Sequence, residues 1–574
     1  MMMTGQDGRN LGNGENGLKH IAQLFKKWAP FQGSFLFFLF LMVSASLRDL
    51  FGIEARNALF ARVMLENGPS LVPEIMGRPY PDYPPLFFWT EWLFSVPAGH
   101  VSTVTAVLPS AMAGALLVCS VFFVARRSGR KVAIMSSVIM ALCPDFWIRA
   151  GRVSIDMMLA LWVTLALWAF FESYSKGENG RQGYISAMAF SAVFMAFMTK
   201  GPIGIVLSCG IWFCFLVMEG EWKSAAAFFA RSVLFAMLCM GIGMLMCWKA
   251  GDMELLSSMF HMQVTGRLQG VSNKPFYYYT LHLAGATAPW WLASVAGCLF
   301  MGRGNGKGGV VPGVVRKSAL LRLVMVWMVF VFVVFNIASA RAGRYLLPMF
   351  PAMAIFFAVT SEKLFTEKGR FFSSVLFSRM FFFLWGLLWG VGIFIYVCNP
   401  FGHMPGFYVI LAWFLMSIVM VYAVTRLAHC EYAAFLMVAS LMIGGLTLDN
   451  LLVEPGRSLM ESGRLFAEHV ENGIGQDVPV LFFQVNRDGD AVKYIFYSKR
   501  KSSEFIFVDN FAELEKTDMP FVMISVKKKF ANRRLADFIR MNNACPAGEG
   551  YIHSRVYQAW GIGTECAVTQ GDTL

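Results

Sequence analysis

Charged side chains are scarce in this chain. Asp, Glu, Lys and Arg make up 15% of its 574 residues, whereas soluble domains carry about 25%. This scarcity excludes a disordered protein, a coiled coil and a soluble multidomain enzyme. The 11 cysteines include no CxxC pair, so their spacing indicates neither a zinc site nor a redox site.

Long apolar runs take the place of charge. The chain is 57% hydrophobic, with 55 Phe and 37 Met, and its mean hydropathy is +0.55. Because a helix needs about 20 mostly apolar residues to cross a bilayer, the sequence predicts a polytopic α-helical membrane protein with about thirteen transmembrane helices. The predicted spans centre on 33–47, 103–125, 131–148, 156–174, 184–198, 203–218, 228–248, 281–301, 318–338, 345–361, 374–398, 406–426 and 432–449.

Positive charge predicts the orientation. The net charge is +13, and short loops such as 126–131 are rich in Lys and Arg, as expected of cytoplasmic loops. We therefore expect residues 1–30 to form a cytoplasmic tail, and thirteen spans put the C-terminus outside. The membrane part covers 31–449, with long outer loops at 48–102 and 249–280. The first of these loops contains an amphipathic stretch, Glu54–Leu65, of the kind that lies at the membrane surface.

Residues 450–574 are predicted to form a small α/β domain outside the cytoplasm. Cys545 and Cys566 lie in this polar part and are expected to form a disulfide if it is extracytoplasmic. No catalytic motif is visible there. Strands are predicted at 478–484, 493–498, 504–509 and 521–527, and helices at 511–515 and 533–543.

Charged residues cluster at the predicted outward ends of the spans. Because a charge at membrane depth is costly, such residues indicate a functional site. The alternative is a set of interface residues whose long side chains reach the headgroups. The set comprises Asp49, Glu54, Arg56, Asp82, Arg149, Arg152, Asp156, Lys200, His261, Arg267, Lys274, Arg341 and Arg344.

Arg341 and Arg344 are the sharpest pair in this set. They lie in a turn between two apolar runs on the predicted outer side, where the positive-inside rule disfavours them. Guanidinium groups bind phosphate bidentately, and Lys200 precedes Gly-Pro at another outward turn. These cations indicate an anionic lipid headgroup or a phosphate. Arg152 and Asp156 are four residues apart, so a helix would let them form a structural or catalytic ion pair.

Several short motifs occur in a recognisable order. They are Gly52–Arg56, Gly77–Tyr80, Ser154–Leu159, Thr199–Pro202, Lys274–Tyr279 with Pro289-Trp290, and Arg344–Pro348. Over roughly residues 30–360 the sequence resembles the polyprenyl-phosphate-sugar-dependent glycosyltransferases of the GT-C class, which include the protein O-mannosyltransferases. Within this superfamily it is most similar to the bacterial lipid A aminoarabinose transferases.

The resemblance implies an enzyme of the bacterial inner membrane with a cavity at the outer face. A polyprenyl (undecaprenyl) phosphate sugar would be the donor, and lipid A or another glycolipid would be the acceptor. A protein acceptor is the alternative within the enzyme interpretation. Outside that interpretation, a transporter or flippase and a non-catalytic scaffold remain alternatives. Transporters place their polar groups near the bilayer midplane, whereas here these groups cluster at one side.

The resemblance also assigns roles to residues. Cations would stabilise the phosphate that leaves as the sugar is transferred, and a carboxylate would act as general base or orient the acceptor. The phosphate-binding candidates are Lys200 and Arg344, followed by Arg341 and Arg267. The catalytic candidates are Glu54, Asp156 and Asp49, and the further cavity residues are Arg56, Tyr83 and Tyr345.

Two positions depart from the family pattern. The family's first outer loop carries an acid where this chain has Ile53, and a lysine where it has Tyr83. Either Glu54 or Asp49 replaces the acid, or the acceptor is already ionised and needs less base catalysis, or the chain is catalytically altered. No cofactor is predicted. A divalent metal remains open, with Asp49, Glu54, Asp156 and His261 as conceivable ligands, although no spacing indicates one.

Overall fold

The structure is a computed structural model. It describes residues 30–80, 83–176, 182–250, 257, 274–304, 318–338, 340–367, 375–400, 406–427, 432–473, 478–552 and 555–564.

The first 448 residues are mainly helical where the structure describes them. Helices dominate because in lipid a helix satisfies its backbone hydrogen bonds internally. They are α1 (Pro30–Ser46), α2 (Ile53–Asn67), α3 (Leu86–Ser95), α4 (Thr103–Ala125), α5 (Arg130–Ala141), α6 (Pro144–Ala150), α7 (Ile155–Lys176), α8 (Gln182–Lys200), α9 (Pro202–Met218), α10 (Trp222–Lys249), α11 (Tyr278–Ala286), α12 (Trp290–Gly304), α13 (Ala319–Ile337), α14 (Phe350–Glu367), α15 (Val375–Cys398), α16 (Phe407–Arg426) and α17 (Ala433–Leu448).

Within the described ranges, nine helices are long and apolar enough to cross a membrane, namely α4, α7, α8, α10 and α13–α17. Three others, α1, α9 and α12, are apolar but shorter, and α5 and α6 form a pair bent by 66°. The expectation of about thirteen spans is met if the bent pair and the three shorter helices also cross. The polytopic helical membrane fold itself is confirmed.

The bend between α5 and α6 has a local cause. α6 starts at Pro144, whose ring nitrogen cannot donate the hydrogen bond that would continue α5 and whose fixed φ suits the first turn of a new helix. The break re-aims the chain and brings Arg149 of α6 to the wall of a cavity.

The amphipathic stretch Glu54–Leu65 is helical, as predicted, and lies in α2. Its polar side, however, contacts protein. Arg62 donates hydrogen bonds from Nη1 to three backbone carbonyls at distances of 2.8–2.9 Å, those of Ile495, Phe496 and Ser498. Glu66 accepts from the backbone and the hydroxyl of Ser502. The helix is therefore clamped between the membrane helices and the C-terminal part of the chain.

The C-terminal part contains a five-stranded mixed sheet. Its order is β4-β3-β5-β7-β6, in which β3 pairs in parallel with β4 and β5, and β7 pairs antiparallel with β5 and β6. The strands are β3 (Val480–Phe483), β4 (Phe505–Val508), β5 (Phe521–Val526), β6 (Cys545–Ile552) and β7 (Arg555–Ile562), and a two-residue hairpin, β1 (Glu74–Ile75) with β2 (Arg78–Pro79), lies in the first outer loop. The helices are α18 (Glu454–Ser462), α19 (Arg464–Gly473), α20 (Val492–Tyr497), α21 (Phe511–Leu514) and α22 (Arg533–Met541).

One predicted strand is wrong and two strands were missed. Of the predicted strand 493–498, residues 493–497 fall in helix α20, where Tyr494 and Ile495 are fully buried. Packing on both α2 and α19 therefore overrides the β-propensity of this stretch. β6 was not predicted because its Pro and two Gly residues weaken a strand pattern. Hydrogen bonding to β7 makes this segment a strand although its local sequence does not favour one. The other predicted strands and helices of this part are present.

The C-terminal part packs directly on the loop between α1 and α2. The carboxylate of Asp49 accepts hydrogen bonds of 3.2 Å from Ser462 and from Arg464, and the Tyr497 hydroxyl donates to the Leu50 carbonyl at 3.1 Å. Burial raises the pKa of Asp49 above its ordinary 3.8, against the lowering effect of Arg464. These contacts tie the sheet-bearing region to the segment that leads into α2.

Cys545 is disulfide-bonded, as the sequence predicts. Its expected partner, Cys566, lies outside the described residues. The extent of a separate domain at 450–574 and its side of the membrane stay predictions.

Candidate active site

A cavity of about 120 Å³ opens among the ends of several helices. The start of α2, the loop before α7, the end of α8 and the turn before α14 meet there. Its ionisable wall residues are Glu54, Tyr83, Arg149, Arg152, Asp156, Lys200 and Arg344. Four cations face two carboxylates, so the wall is net positive and favours an anionic ligand.

One side of the cavity, which we call the Asp156 side, gathers Asp156, Lys200, Arg344 and Tyr345. Asp156 and Lys200 are 4% and 2% exposed, and their side chains form an ion pair. Arg344 Nε lies 3.4 Å from the other carboxylate oxygen of Asp156. The Tyr345 ring lies beneath both cations, with its centroid 4.4 Å from Lys200 Nζ and 5.3 Å from the Arg344 guanidinium carbon.

Local sequence explains how these groups meet. α7 and α8 are consecutive packed helices, so the first turn of α7, which carries Asp156, lies beside the last turn of α8, which carries Lys200. Gly201 then ends α8 with φ +74° and Pro202 begins α9, which fixes the exit of the chain. One carboxylate shared between two cations leaves positive charge unbalanced at this point.

The opposite side, which we call the Glu54 side, is held by hydrogen bonds and ion pairs within the protein. Glu54 is 3% exposed and accepts from Arg48 Nη1 and Nη2 at 3.3 and 2.7 Å. It also accepts from the Val153 backbone N–H at 3.1 Å, and Arg152 Nε lies 3.8 Å away. Arg48 in turn donates to the Gly151 carbonyl at 2.8 Å. Glu54 therefore fastens α2 to the loop before α7, and its hydrogen bonds use three of the roughly four acceptor positions of a carboxylate.

The expected pairing of Arg152 with Asp156 does not form. α7 begins only at Ile155, so Arg152 precedes the helix and does not share its face. Its Nε instead donates to Glu454 of α18 at 2.9 Å, and its guanidinium carbon lies 4.9 Å from the Phe51 ring centroid. Glu454 thus ties the C-terminal part of the chain to an arginine of the cavity wall.

Other predicted site residues lie away from the cavity wall. Asp49 faces Ser462 and Arg464, and Arg56 donates to the Tyr80 hydroxyl at 3.2 Å. Arg341 donates to the Lys274 carbonyl at 2.7 Å. Arg267, His261 and Asp82 lie outside the described residues, so their roles stay predictions.

The structure also tests which groups could hold a metal ion. Among the described residues, no three His, Cys, Asp or Glu side chains cluster in a way that could hold one. Both carboxylates of the cavity, Glu54 and Asp156, have cationic partners. This donor set does not fit a metal site.

Three residues that contact the site or its neighbours were not predicted from the sequence. They are Arg48, Glu454 and His282, whose Nε2 lies 3.3 Å from Asp145. Arg48 had a usable signal, since an arginine at the end of an apolar run is costly unless it is paired. The other two had none, because Glu454 is 302 residues from its partner Arg152 and His282 is 137 residues from Asp145.

A family model for dolichyl-phosphate-mannose-protein mannosyltransferases matches residues 54–250. The predicted resemblance to this glycosyltransferase superfamily is confirmed. The matched stretch runs from Glu54 through Lys200, so it includes both carboxylates of the cavity and its buried lysine.

Curated relatives agree with the family match. The chain is 26% identical over 335 residues to the undecaprenyl phosphate-alpha-4-amino-4-deoxy-L-arabinose arabinosyl transferase of Edwardsiella ictaluri, covering 55% of this chain and 56% of that protein. It is 24% identical over 320 residues to the protein of the same name from Serratia proteamaculans, covering 54% of each. The chain thus spans about half the length of the curated relatives it matches.

A solved structure extends the likeness to the whole fold. The crystal structure of ArnT from Cupriavidus metallidurans bound to undecaprenyl phosphate superimposes with a TM-score of 0.67 at 17% identity, covering 91% of this chain and 96% of that one. At this identity the likeness shows the fold, and it extends over the C-terminal part as well as the membrane helices. The protein is a multi-pass membrane protein with the GT-C architecture.

Proposed function

We propose that this protein is a membrane glycosyltransferase that moves a sugar from an undecaprenyl phosphate donor to an acceptor at the outer leaflet. The observation that carries the proposal is the pair of cations, Lys200 and Arg344, held by Asp156 and Tyr345 on the wall of a net-positive cavity. The family match and the curated relatives support the same chemistry.

In the proposed reaction the acceptor oxygen attacks the anomeric carbon of the sugar, and the bond from that carbon to the phosphate oxygen breaks. The electron pair leaves with undecaprenyl phosphate, whose negative charge increases. Lys200 and Arg344 stabilise this charge from fixed positions, and buried cations do so more effectively than cations in water. Asp156 orients both cations and reduces the cost of burying them.

The state of the carboxylates favours an acceptor that is already ionised. Asp156 pairs with two cations, Glu54 accepts from Arg48 and Val153, and Ile53 stands where the family has an acid. Both described carboxylates of the cavity wall are held by cations, which lowers the tendency of each to take a proton from a hydroxyl. A phosphate group of lipid A needs no such base, whereas a serine or threonine of a protein acceptor does.

The proposed location is the bacterial inner membrane, with the N-terminus in the cytoplasm and residues 450–574 in the periplasm. Lys- and Arg-rich short loops support this orientation. The disulfide at Cys545 supports it independently, since disulfides persist in the periplasm and are rare in the cytosol.

The test compares envelope lipids from cells that produce the protein, its Lys200→Ala, Arg344→Ala double variant, or neither. We expect a sugar-sized mass increase on lipid A only with the unmodified protein, and free undecaprenyl phosphate released by the purified enzyme. Arg426→Ala is the control, because Arg426 is exposed and contacts Tyr422 of its own helix. The same lipid A masses in all cells, together with sugar on an envelope protein, would replace the proposed acceptor with a protein. If neither lipid A nor an envelope protein gains a sugar, the proposal is overturned.

A further inference from the structure

The turn that carries Arg344 needs support from outside itself. Residues Gly343–Met349 form a 3-10 helix between α13 and α14, and such turns have poorer hydrogen-bond geometry than α-helices. Among the described residues, this turn contributes one cation, Arg344, to the Asp156 side of the cavity. Its direction therefore depends on what holds the backbone just before it.

That support comes from the segment Lys274–His282, at the start of α11. The Lys274 carbonyl accepts from Arg341 Nη1 at 2.7 Å. The hydroxyl of Tyr279, a fully buried side chain, accepts from the backbone N–H of Ala342 at 3.3 Å. Arg341 and Ala342, the two residues that lead into the turn, are thus both hydrogen-bonded to one short segment.

The third contact is steric. The imidazole of His282 lies against Gly343, and a Cβ added to Gly343 would fall 2.3 Å from its Cε1 and Nε2 atoms. No side chain fits there unless the imidazole moves. Moving the ring would cost free energy, because its Nε2 lies 3.3 Å from Asp145 Oδ2 and it stacks on Tyr278 with ring centroids 5.9 Å apart.

The fixed imidazole is also coupled to the cavity from its other side. Asp145 accepts from Arg149 Nε at 3.1 Å, and Arg149 lines the cavity. A continuous chain of contacts therefore runs from Arg149 through Asp145 and His282 to Gly343, next to Arg344. One end is a cavity cation, Arg149, and the other end adjoins a second cavity cation, Arg344.

We propose that His282 is a positioning residue that sets the direction of Arg344 toward the donor phosphate, and that Gly343 is required because the imidazole occupies the space of its side chain. The inference rests on the proposed function in so far as Arg344 binds phosphate. It adds a residue, His282, that touches neither Asp156 nor Lys200 in the structure.

The test measures binding of undecaprenyl phosphate to the full-length protein in detergent, separately from sugar transfer. Gly343→Ala should push the turn away from the imidazole and weaken binding about tenfold, as the loss of one hydrogen bond to a charged group does. His282→Ala should weaken it less, since the turn keeps the Tyr279 and Lys274 contacts. The decisive variant is the double Gly343→Ala, His282→Ala, in which the smaller side chain makes room and binding returns to the level of His282→Ala alone.

The matched control is Gly285→Ala, in the same helix as His282, where an added Cβ meets nothing within 4 Å. It should bind undecaprenyl phosphate as the unmodified protein does. Thermal unfolding of each variant separates loss of binding from loss of fold, since a purely structural role predicts a lower midpoint without rescue. A double variant as weak as, or weaker than, Gly343→Ala overturns the proposal.

The assay also separates this inference from the proposed function. If the rescue occurs but no variant or parent transfers sugar, the positioning role stands and the transferase proposal fails. If Arg344→Ala binds undecaprenyl phosphate as tightly as the parent does, Arg344 is not a phosphate ligand and the positioning inference fails with it.

Discussion

The two sides of the cavity differ in how much of their hydrogen-bonding capacity is already used. On the Glu54 side, a carboxylate has two guanidinium groups and a backbone N–H around it, and Glu454 adds a second carboxylate. On the Asp156 side, one carboxylate serves two cations. The first arrangement fixes structure, whereas the second retains charge for a ligand. Glu54 and Asp156 are thus similarly buried, yet the first holds the structure together and the second holds cations for a ligand.

The largest expected effect is on the Asp156 side. Asp156→Asn removes the group that orients Lys200 and Arg344 but leaves both cations buried. Transfer should fall about 100-fold, as it does when a preorganised electrostatic contact is lost. Binding of undecaprenyl phosphate should stay unchanged or tighten, because the cations lose their internal competitor. Initial rates and ligand-induced thermal shifts measure the two quantities, and weakened binding together with lost activity would contradict this account.

Glu54→Gln tests the opposite side. Because it leaves the buried Arg48 without a charged partner, we expect the protein to lose about 3 kcal/mol of stability, with activity falling in proportion to the folded fraction. The pH profile of the remaining activity should keep its shape, since the proposed reaction does not use Glu54 as the base. Thermal unfolding and rate–pH curves check this. Glu468→Gln, which breaks a half-exposed pair with Arg464, is the control and should cost under about 1 kcal/mol.

Glu454→Gln sharpens the contrast with a smaller change. Arg152 would keep Glu54, at 3.8 Å, and the Phe51 ring, but would lose the hydrogen bonds to Glu454 that fix its direction on the cavity wall. We expect the KM for the acceptor to rise about tenfold while binding of undecaprenyl phosphate is unchanged, because the Asp156 side is untouched. Glu549→Gln, on the surface of the sheet, provides the comparison. An equal effect on donor and acceptor would show that the two sides are not separate.

Asp49→Asn should have the smallest effect. Since the pKa of Asp49 is higher in the folded protein than its ordinary 3.8, the unfolded chain releases this proton first. The stability that Asp49 contributes is therefore complete below about pH 4 and is lost as pH rises through the raised pKa. The variant should remove this fall in unfolding curves recorded across that window, with transfer within about twofold of the parent. A tenfold loss of activity would instead place Asp49 in the chemistry.

Prediction from sequence succeeded for residues that helix ends bring together. Asp156 begins one helix and Lys200 ends the next, so their common location follows from chain order and span length alone. It failed where a local pattern met a tertiary constraint. Residues 493–498 have a strand composition, yet packing against α2 and α19 makes 493–497 a helix, and Arg152 missed its expected partner because α7 starts three residues later.

The sequence by itself determined the membrane class, the positions of most apolar helices and three groups of the Asp156 side. Apolar length, charge asymmetry and glycine–proline stops act locally, so they can be read from the chain. Only the tertiary structure decided that Glu54 binds the Val153 backbone, that Glu454 binds Arg152, and that Gly343 lies against His282. Those outcomes depend on contacts between residues 61 to 302 positions apart, whose distances are set by helix packing and by no local pattern.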